Sequence, residues 1–275
     1  MDKWVKLITS DKTITLTDIE GFMYLDFNEE DVQLSSTTQE IKGVDGLLVG
    51  SSKFAPFKLN LNFVYSGVDV HDYHLFKTKL RNIIYQRDPY YVVHSDMPGK
   101  KYAVLPDSTS IENKFGRNGT FTIAFSVYKG YSESLYDTDK FSLSNGNWQF
   151  ESGLVVDDSI KYNHTSSNFK IFNGSSDVIN PIMRHKLNIY LNIDGPNGFK
   201  VTNKTTGDVF EYTKPIKSNK TLSLQGVHPV LNNKRVGIDT NFNFLTLNPG
   251  YNEIEITGSN LGKTNSKWVF PFIYR

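Results

Sequence analysis

The stretch FKLNLNFV, residues 57–64, alternates without a fault, with Phe57, Leu59, Leu61 and Phe63 on one side and Lys58, Asn60 and Asn62 on the other. Successive side chains of a strand point to opposite faces, so a period of two held this long predicts a strand with one buried face. Thr120 to Val127 repeats the pattern, with Phe121, Ile123, Phe125 and Val127 opposite Thr120, Thr122, Ala124 and Ser126. Between these two the period changes. Val70, Tyr73, Phe76, Leu80, Ile83 and Ile84 recur at three- and four-residue steps, which predicts an amphipathic helix from about Asp69 to Gln86. Asp69 suits the N-cap, Asp72 the positive end of the dipole, and Asp88-Pro89 closes the helix. Val5 to Ile8 and Ile14 to Leu16 add short strands around Ser10 and Asp11. The first half therefore reads as β-rich α+β with one helix.

Periodicity is lost in GYSESLYDTDKFSLSNGN, residues 130–147, which places a boundary between domains 1–135 and 136–275. Beyond it, turn chemistry punctuates short strands: Leu187 to Ile193 before DGPNG, Phe199 to Asn203, Val209 to Tyr212 after Thr206-Gly207-Asp208, Phe242 to Leu247 before Asn248-Pro249-Gly250, Asn252 to Thr257, and Trp268 to Ile273. Close spacing with no amphipathic helix predicts an antiparallel β-sandwich. The chain as a whole is expected to be mainly β.

With 275 residues, each half is long enough to bury a core. Aromatics at 13%, beside many Thr, Asn and Ser, suit pleated surfaces and turns. The formal charge of +1 supplies no global field for nucleic acid, and no apolar run approaches the ~20 residues of a membrane span. The opening MDKWVKLITS, interrupted by Lys3 and Lys6, does not read as a signal peptide. Neither a membrane nor a specific nucleic-acid sequence is expected as a partner. Zero Cys excludes disulfides, thiolate metal sites and cysteine nucleophiles.

Candidate chemistry is sparse. TGSNLGKT, residues 257–264, ends like a phosphate-binding loop, but the required Gly five before Gly262 is Thr257 and an aromatic strand follows, so it is expected to be a hairpin loop. His71 and His74 lie three apart on the helix without the surrounding pattern of a metal site, and are expected on its solvated face. The carboxylates Asp26, Glu29, Glu30 and Asp31 are expected in a solvated loop between strands. Trp148, Tyr162, Tyr212, Tyr251 and Trp268 could stack sugar rings, yet Trp148 alternates with Phe150 and Trp268 with Phe270, as core residues do. No catalytic, cofactor-binding or metal-ligating residue is assigned.

IKGVDGLLVGSSKFAPFKLNLNFVY, residues 41–65, resembles the N-terminal signature of the siphovirus distal tail protein (Dit) family: a Gly-x-Asp-Gly turn, an extended segment, then the strongly alternating strand. The likeness continues through the helix, Asp88-Pro89, Tyr90 to Leu105 and Phe121 to Val127, and NPGYNEIEITGS, residues 248–259, resembles the approach to the closing strands of galectin- or carbohydrate-module-like jelly rolls. One departure is that the Arg often found before the long strand is replaced by Ala55-Pro56-Phe57-Lys58, which puts any role of that Arg in doubt.

The resemblance implies a non-enzymatic, cofactor-free homo-hexameric ring at the tip of the virion tail, made in the host cytoplasm. It would join the tail tube protein to the tail-associated hub protein and to receptor-binding or baseplate proteins, with surface glycan as a further candidate partner. The N-terminal domains would form the ring and the C-terminal domains would project from it. On the residues themselves, segment 41–56 can extend to a neighbour, with Gly43, Asp45, Gly46, Leu47, Leu48 and Val49 as candidate subunit-interface residues; the alternative is an ordinary hairpin loop. The rival functions are a carbohydrate-binding module for host cell-wall glycans and, third, a glycan hydrolase with its acids in loops.

Overall fold

The computed structural model describes residues 3–115, 117–142, 148 and 160–275. The chain forms two compact units, Met1–Glu133 with Arg275, and Ser134–Tyr274. The polar stretch read as a boundary reaches residues 143–147, which with Phe150 lie outside the described residues.

The first unit contains β1 (Val5–Ile8), β2 (Thr13–Thr15), β3 (Phe22–Glu29), β4 (Leu34–Glu40), β5 (Leu47–Phe54), β6 (Phe57–Ser66), α1 (Val70–Ile84), β7 (Tyr90–His94), β8 (Lys100–Phe115) and β9 (Asn118–Val127). Seven of them line up as β2-β1-β7-β8-β9-β6-β3, with antiparallel neighbours. The two alternating stretches are direct neighbours: β6 and β9 pair without a shift from Phe57↔Val127 to Ser66↔Asn118. Cross-strand partners share a face, so Leu59 and Phe125, Leu61 and Ile123, and Phe63 and Phe121 bury together.

Helix α1 lays Tyr73, Phe76, Leu80 and Ile84 on that face. Phe76 stacks on Tyr65 with centroids 3.8 Å apart, and Phe22 stacks on Phe63 at 4.5 Å. Asp69 caps the helix, its carboxylate accepting the Asp72 N–H at 2.7 Å. Asp72 in turn accepts the Val68 N–H and the Tyr65 hydroxyl, both at 2.9 Å, and these bonds hold its carboxyl below the usual range. Val70, on the predicted stripe, is 47% exposed because it sits in the first turn, before the helix reaches the sheet.

Half of the acidic run is strand rather than loop, while Glu30 and Asp31 lie exposed in the connection from β3 to β4 as expected. Asp26 and Glu29 belong to β3, the sheet's edge strand, where polar residues blunt unpaired backbone. Glu29 accepts the Tyr102 hydroxyl at 3.1 Å; burial raises its carboxyl pKa, which Tyr102 and Lys100 oppose.

After the short β10 (Ser132–Ser134), the second unit is an antiparallel sandwich. One sheet runs β11 (Asn163–His164), β20 (Thr264–Val269), β13 (Asn188–Ile193), β16 (Leu222–Gln225), β17 (His228–Leu231), β18 (Lys234–Arg235). The other runs β12 (Asn168–Asn173), β19 (Gly250–Thr257), β14 (Phe199–Asn203), β15 (Asp208–Tyr212); β21 (Ile273–Tyr274) ends the chain. Ile189, Leu191, Leu224 and Trp268 from the first sheet and Val201, Phe210, Ile254 and Ile256 from the second are buried, and Phe169 meets Trp268 edge-on at 6.2 Å. Residues 134–138 are stitched to the last strands: the Thr138 hydroxyl donates to Trp268 O at 2.8 Å, and the Ser134 N–H to Phe272 O at 2.8 Å.

Three expectations are corrected here. TGSNLGKT is not a hairpin loop, because β19 and β20 lie in different sheets and the segment crosses between them. Phe242 to Leu247 is not a strand: Asn, Asp and Thr side chains capture its backbone N–H groups, as with Thr240 Oγ1 for Phe242 and Asp208 Oδ2 for Thr246, and among the described residues only Leu247 forms a bridge, to Ile179. Trp268 to Ile273 is interrupted after Val269, since Pro271 has no N–H to give.

Gly198 carries the turn before β14. Its φ is +79°, and a Cβ there would lie 2.1 Å from Tyr212 O. Gly198→Ala is therefore expected to lower stability by about 1–3 kcal/mol, read as a shift of the urea midpoint; an unchanged midpoint would contradict the crowding.

Candidate subunit interface

Among the described residues, strands β4 and β5 pair only with each other, as a two-stranded ribbon outside the larger sheet. It turns through residues 41–46, with Gly43 and Gly46 both at φ +86°, a left-handed conformation that glycine adopts without strain. All eight residues of β5 are exposed. Gly43, Asp45 and Gly46 therefore form the tip, and Leu47, Leu48 and Val49 begin the returning strand.

The ladder runs Leu34↔Phe54, Ser35↔Lys53, Ser36↔Ser52, then shifts to Thr38↔Val49, Gln39↔Leu48, Glu40↔Leu47. Thr37 thus faces both Gly50 and Ser51 in a β-bulge. A Cβ on Gly50 would sit 3.1 Å from Thr37 Oγ1, so the small residue suits the site. The Ser36 and Ser52 hydroxyls meet at 2.7 Å, marking one face, and Leu34, Phe54, Val49 and Leu47 share it. Leu48 lies on the opposite, polar face with Ser35, Gln39 and Lys53. The three consecutive apolar residues are therefore not equivalent.

Leu34 is 59% exposed, Leu47 59% and Val49 63%. At the root, the Arg275 guanidinium lies 3.4 Å from the Phe54 ring centroid, and the Ala55 N–H bonds Gln33 O at 2.9 Å. An isolated two-stranded ribbon has marginal stability, and large apolar side chains exposed among polar ones, here with Ser36, Ser52, Thr38 and Glu40 on the same face, suit a surface that another molecule covers. Sequence reading missed Leu34, Phe54 and the bulge. The hydroxyl-rich LSSTTQE of β4 was the available signal, but the bulge breaks the alternation that would have joined the two strands.

The other candidates fall elsewhere. His71 and His74 are both exposed on α1. Trp148, Tyr162, Tyr212 and Trp268 are buried in the second unit, and Tyr251, 42% exposed, packs against Phe172 at 5.0 Å. These aromatics make core, not a common platform.

Residues 12–127 match the family described as "Phage tail protein RIFT-related domain". No curated protein matches the chain. Among solved structures, the Dit (gp 19.1) protein of phage SPP1, described as a paradigm of the hub adsorption apparatus in phages infecting Gram-positive hosts, aligns with a TM-score of 0.70 at 11% identity, over 98% of this chain and 99% of that one. The phage P2 baseplate in its activated conformation with Ca aligns over 98% of both chains at 11% identity, and its TM-score of 0.42 adds nothing to the assignment. The tail-protein domain spans the ribbon and the alternating strands from which the resemblance was read, and the fold of a distal tail protein runs the length of the chain. Residues 12–127 thus carry a domain similar to the phage tail protein RIFT-related domain, and the chain as a whole shares the fold of the SPP1 Dit protein.

Proposed function

We propose that this protein is the hub subunit at the tip of a long phage tail, closing as a head-to-tail hexamer. Its N-terminal domain builds the ring. Its C-terminal sandwich faces outward as a docking platform, between the tail tube protein and the tail-associated hub, receptor-binding or baseplate proteins. It does this without catalysis. The observation that carries the reading is the ribbon: a two-stranded arm that exposes Leu34, Leu47 and Val49 and, among the described residues, pairs with no other strand. Heterologous contacts of this kind close into rings when the rotation permits. Lasting ring contacts bury on the order of 2,000 Å², which an arm and its receiving surface can supply together. Gly43, Asp45, Gly46, Leu47 and Val49 act at that contact, and Leu48 contributes less.

Light scattering across a concentration series tests this. The wild-type chain should associate towards a hexamer, and Leu47→Asp with Val49→Asp should weaken association more than tenfold, which corresponds to about 1.4 kcal/mol. Leu48→Asp should have the smaller effect. A wild-type chain that stays monomeric at high concentration would refute the ring.

A further inference from the structure

The ribbon needs a seat on its neighbour, and the first unit offers one. A groove of about 640 Å³ opens between the residues before β3, the end of β6, α1 and the β8–β9 turn. Its apolar lining includes Val68, 81% exposed, and Leu75, 70% exposed on the side of α1 facing away from the buried stripe. Leu75 is misplaced for a helix packed on one face only, and Val68 stands exposed just before the N-cap. Its charged rim carries Glu20, Lys79 and Arg117.

The groove is also pre-set. Asp72 spends its carboxylate on the Val68 N–H and the Tyr65 hydroxyl, and Arg117 donates to Val68 O at 3.2 Å. Glu20 and Lys79 therefore remain as the rim charges without an ion pair among the described residues. The ribbon tip presents the converse set. Ile41 is 45% and Val44 62% exposed, and Lys42 and Asp45 stand beside them, likewise outside any ion pair described.

We infer that this groove receives the ribbon tip of a second copy of the chain, with Val44 and Ile41 against Val68 and Leu75, Asp45 beside Lys79, and Lys42 beside Glu20. The inference rests on the ring reading and names the receiving surface for it. Reach is sufficient: β5 alone extends about 26 Å at ~3.3 Å per residue, against a radius of gyration of about 14 Å for a domain of this size. Opposite charges across such a seat set register and exclude wrong pairings.

A mixing experiment tests it. Val44→Asp damages the ribbon and leaves the groove; Leu75→Asp damages the groove and leaves the ribbon. Both sites are exposed, and circular dichroism confirms that each variant folds. Each alone should self-associate at least tenfold more weakly than wild type. An equimolar mixture should form a dimer and stop there, because one intact ribbon meets one intact groove and the remaining pair is defective at both ends. Asp45→Lys and Lys79→Glu should each weaken assembly, and the double variant should recover most of it. If wild type assembles and Leu75→Asp and Lys79→Glu assemble equally well, the groove is not the seat although the ring stands. Folded monomeric variants that give no dimer on mixing also overturn the pairing. A wild-type chain that never associates removes the ring reading, and this inference with it.

Discussion

Acidification from pH 7 to pH 4 is expected to remove about 3 kcal/mol of stability from the N-terminal unit, most of it through His94. The imidazole is fully buried, its ring centroid 4.4 Å from Phe27 and 5.7 Å from Tyr102, with Nδ1 3.4 Å from the Tyr24 hydroxyl. Among the described residues, Nε2 has no hydrogen-bond partner. Burial pushes its pKa from 6.5 down to about 4, Lys3 and Lys100 add to the shift, and Asp96 opposes it. A base whose folded pKa lies below its unfolded one is held neutral by the fold. The unfolded chain then binds more protons between those two values, so stability is complete above pH 6.5 and falls as the pH drops towards 4.

His94→Phe keeps the ring packing and leaves the Tyr24 hydroxyl donating to Asp96 at 2.7 Å. It should flatten the dependence in that window. Urea unfolding at pH 7, 5.5 and 4 reads the difference. Equal slopes for the two proteins would show that His94 is not the titrating group. Asp72 and Asp96, whose carboxyls sit below their usual range, add losses of the same sign at lower pH.

Trp268→Ala should destabilise the sandwich by about 3–5 kcal/mol. The indole is fully buried, its Nε1–H donates to Ser266 Oγ at 3.3 Å, and its backbone bridges Thr138 and Tyr162 at 2.8 and 2.9 Å. Loss of glycan binding in that variant would therefore report unfolding rather than a missing platform. Tyr251→Ala is the informative substitution for the carbohydrate reading. Its ring is 42% exposed, and truncation should change stability by less than about 1 kcal/mol. Calorimetry separates the two, and an unshifted midpoint for Trp268→Ala would contradict the packing described.

The sequence was most legible where one physical signal acted alone. The period of two in β6 and β9 and the 3.6-residue stripe of α1 survive because burial on one face decides them. Strand β3 was hidden because its edge position calls for polar residues, and DFNE then imitates a loop. The region 242–247 read as a strand from Phe242, Phe244, Leu245 and Leu247, yet Asn, Asp and Thr side chains satisfied its backbone first; Leu245 and Leu247 are buried all the same. The aromatic pairs of the sandwich were ambiguous in principle, since a core and a sugar platform use the same residue types. Only their burial separates the two.

The bulge opposite Thr37 bears on the time before assembly. A freshly made chain carries an arm that exposes Leu34, Leu47 and Val49 and has two open hydrogen-bonding edges, the raw material of cross-β stacking. The extra residue in β5 coils the arm locally, so identical arms cannot lie flat on one another over their whole length. The kink thus works as a safety catch, discouraging endless piling of like on like while leaving Leu34, Leu47 and Val49 free for the contact proposed above.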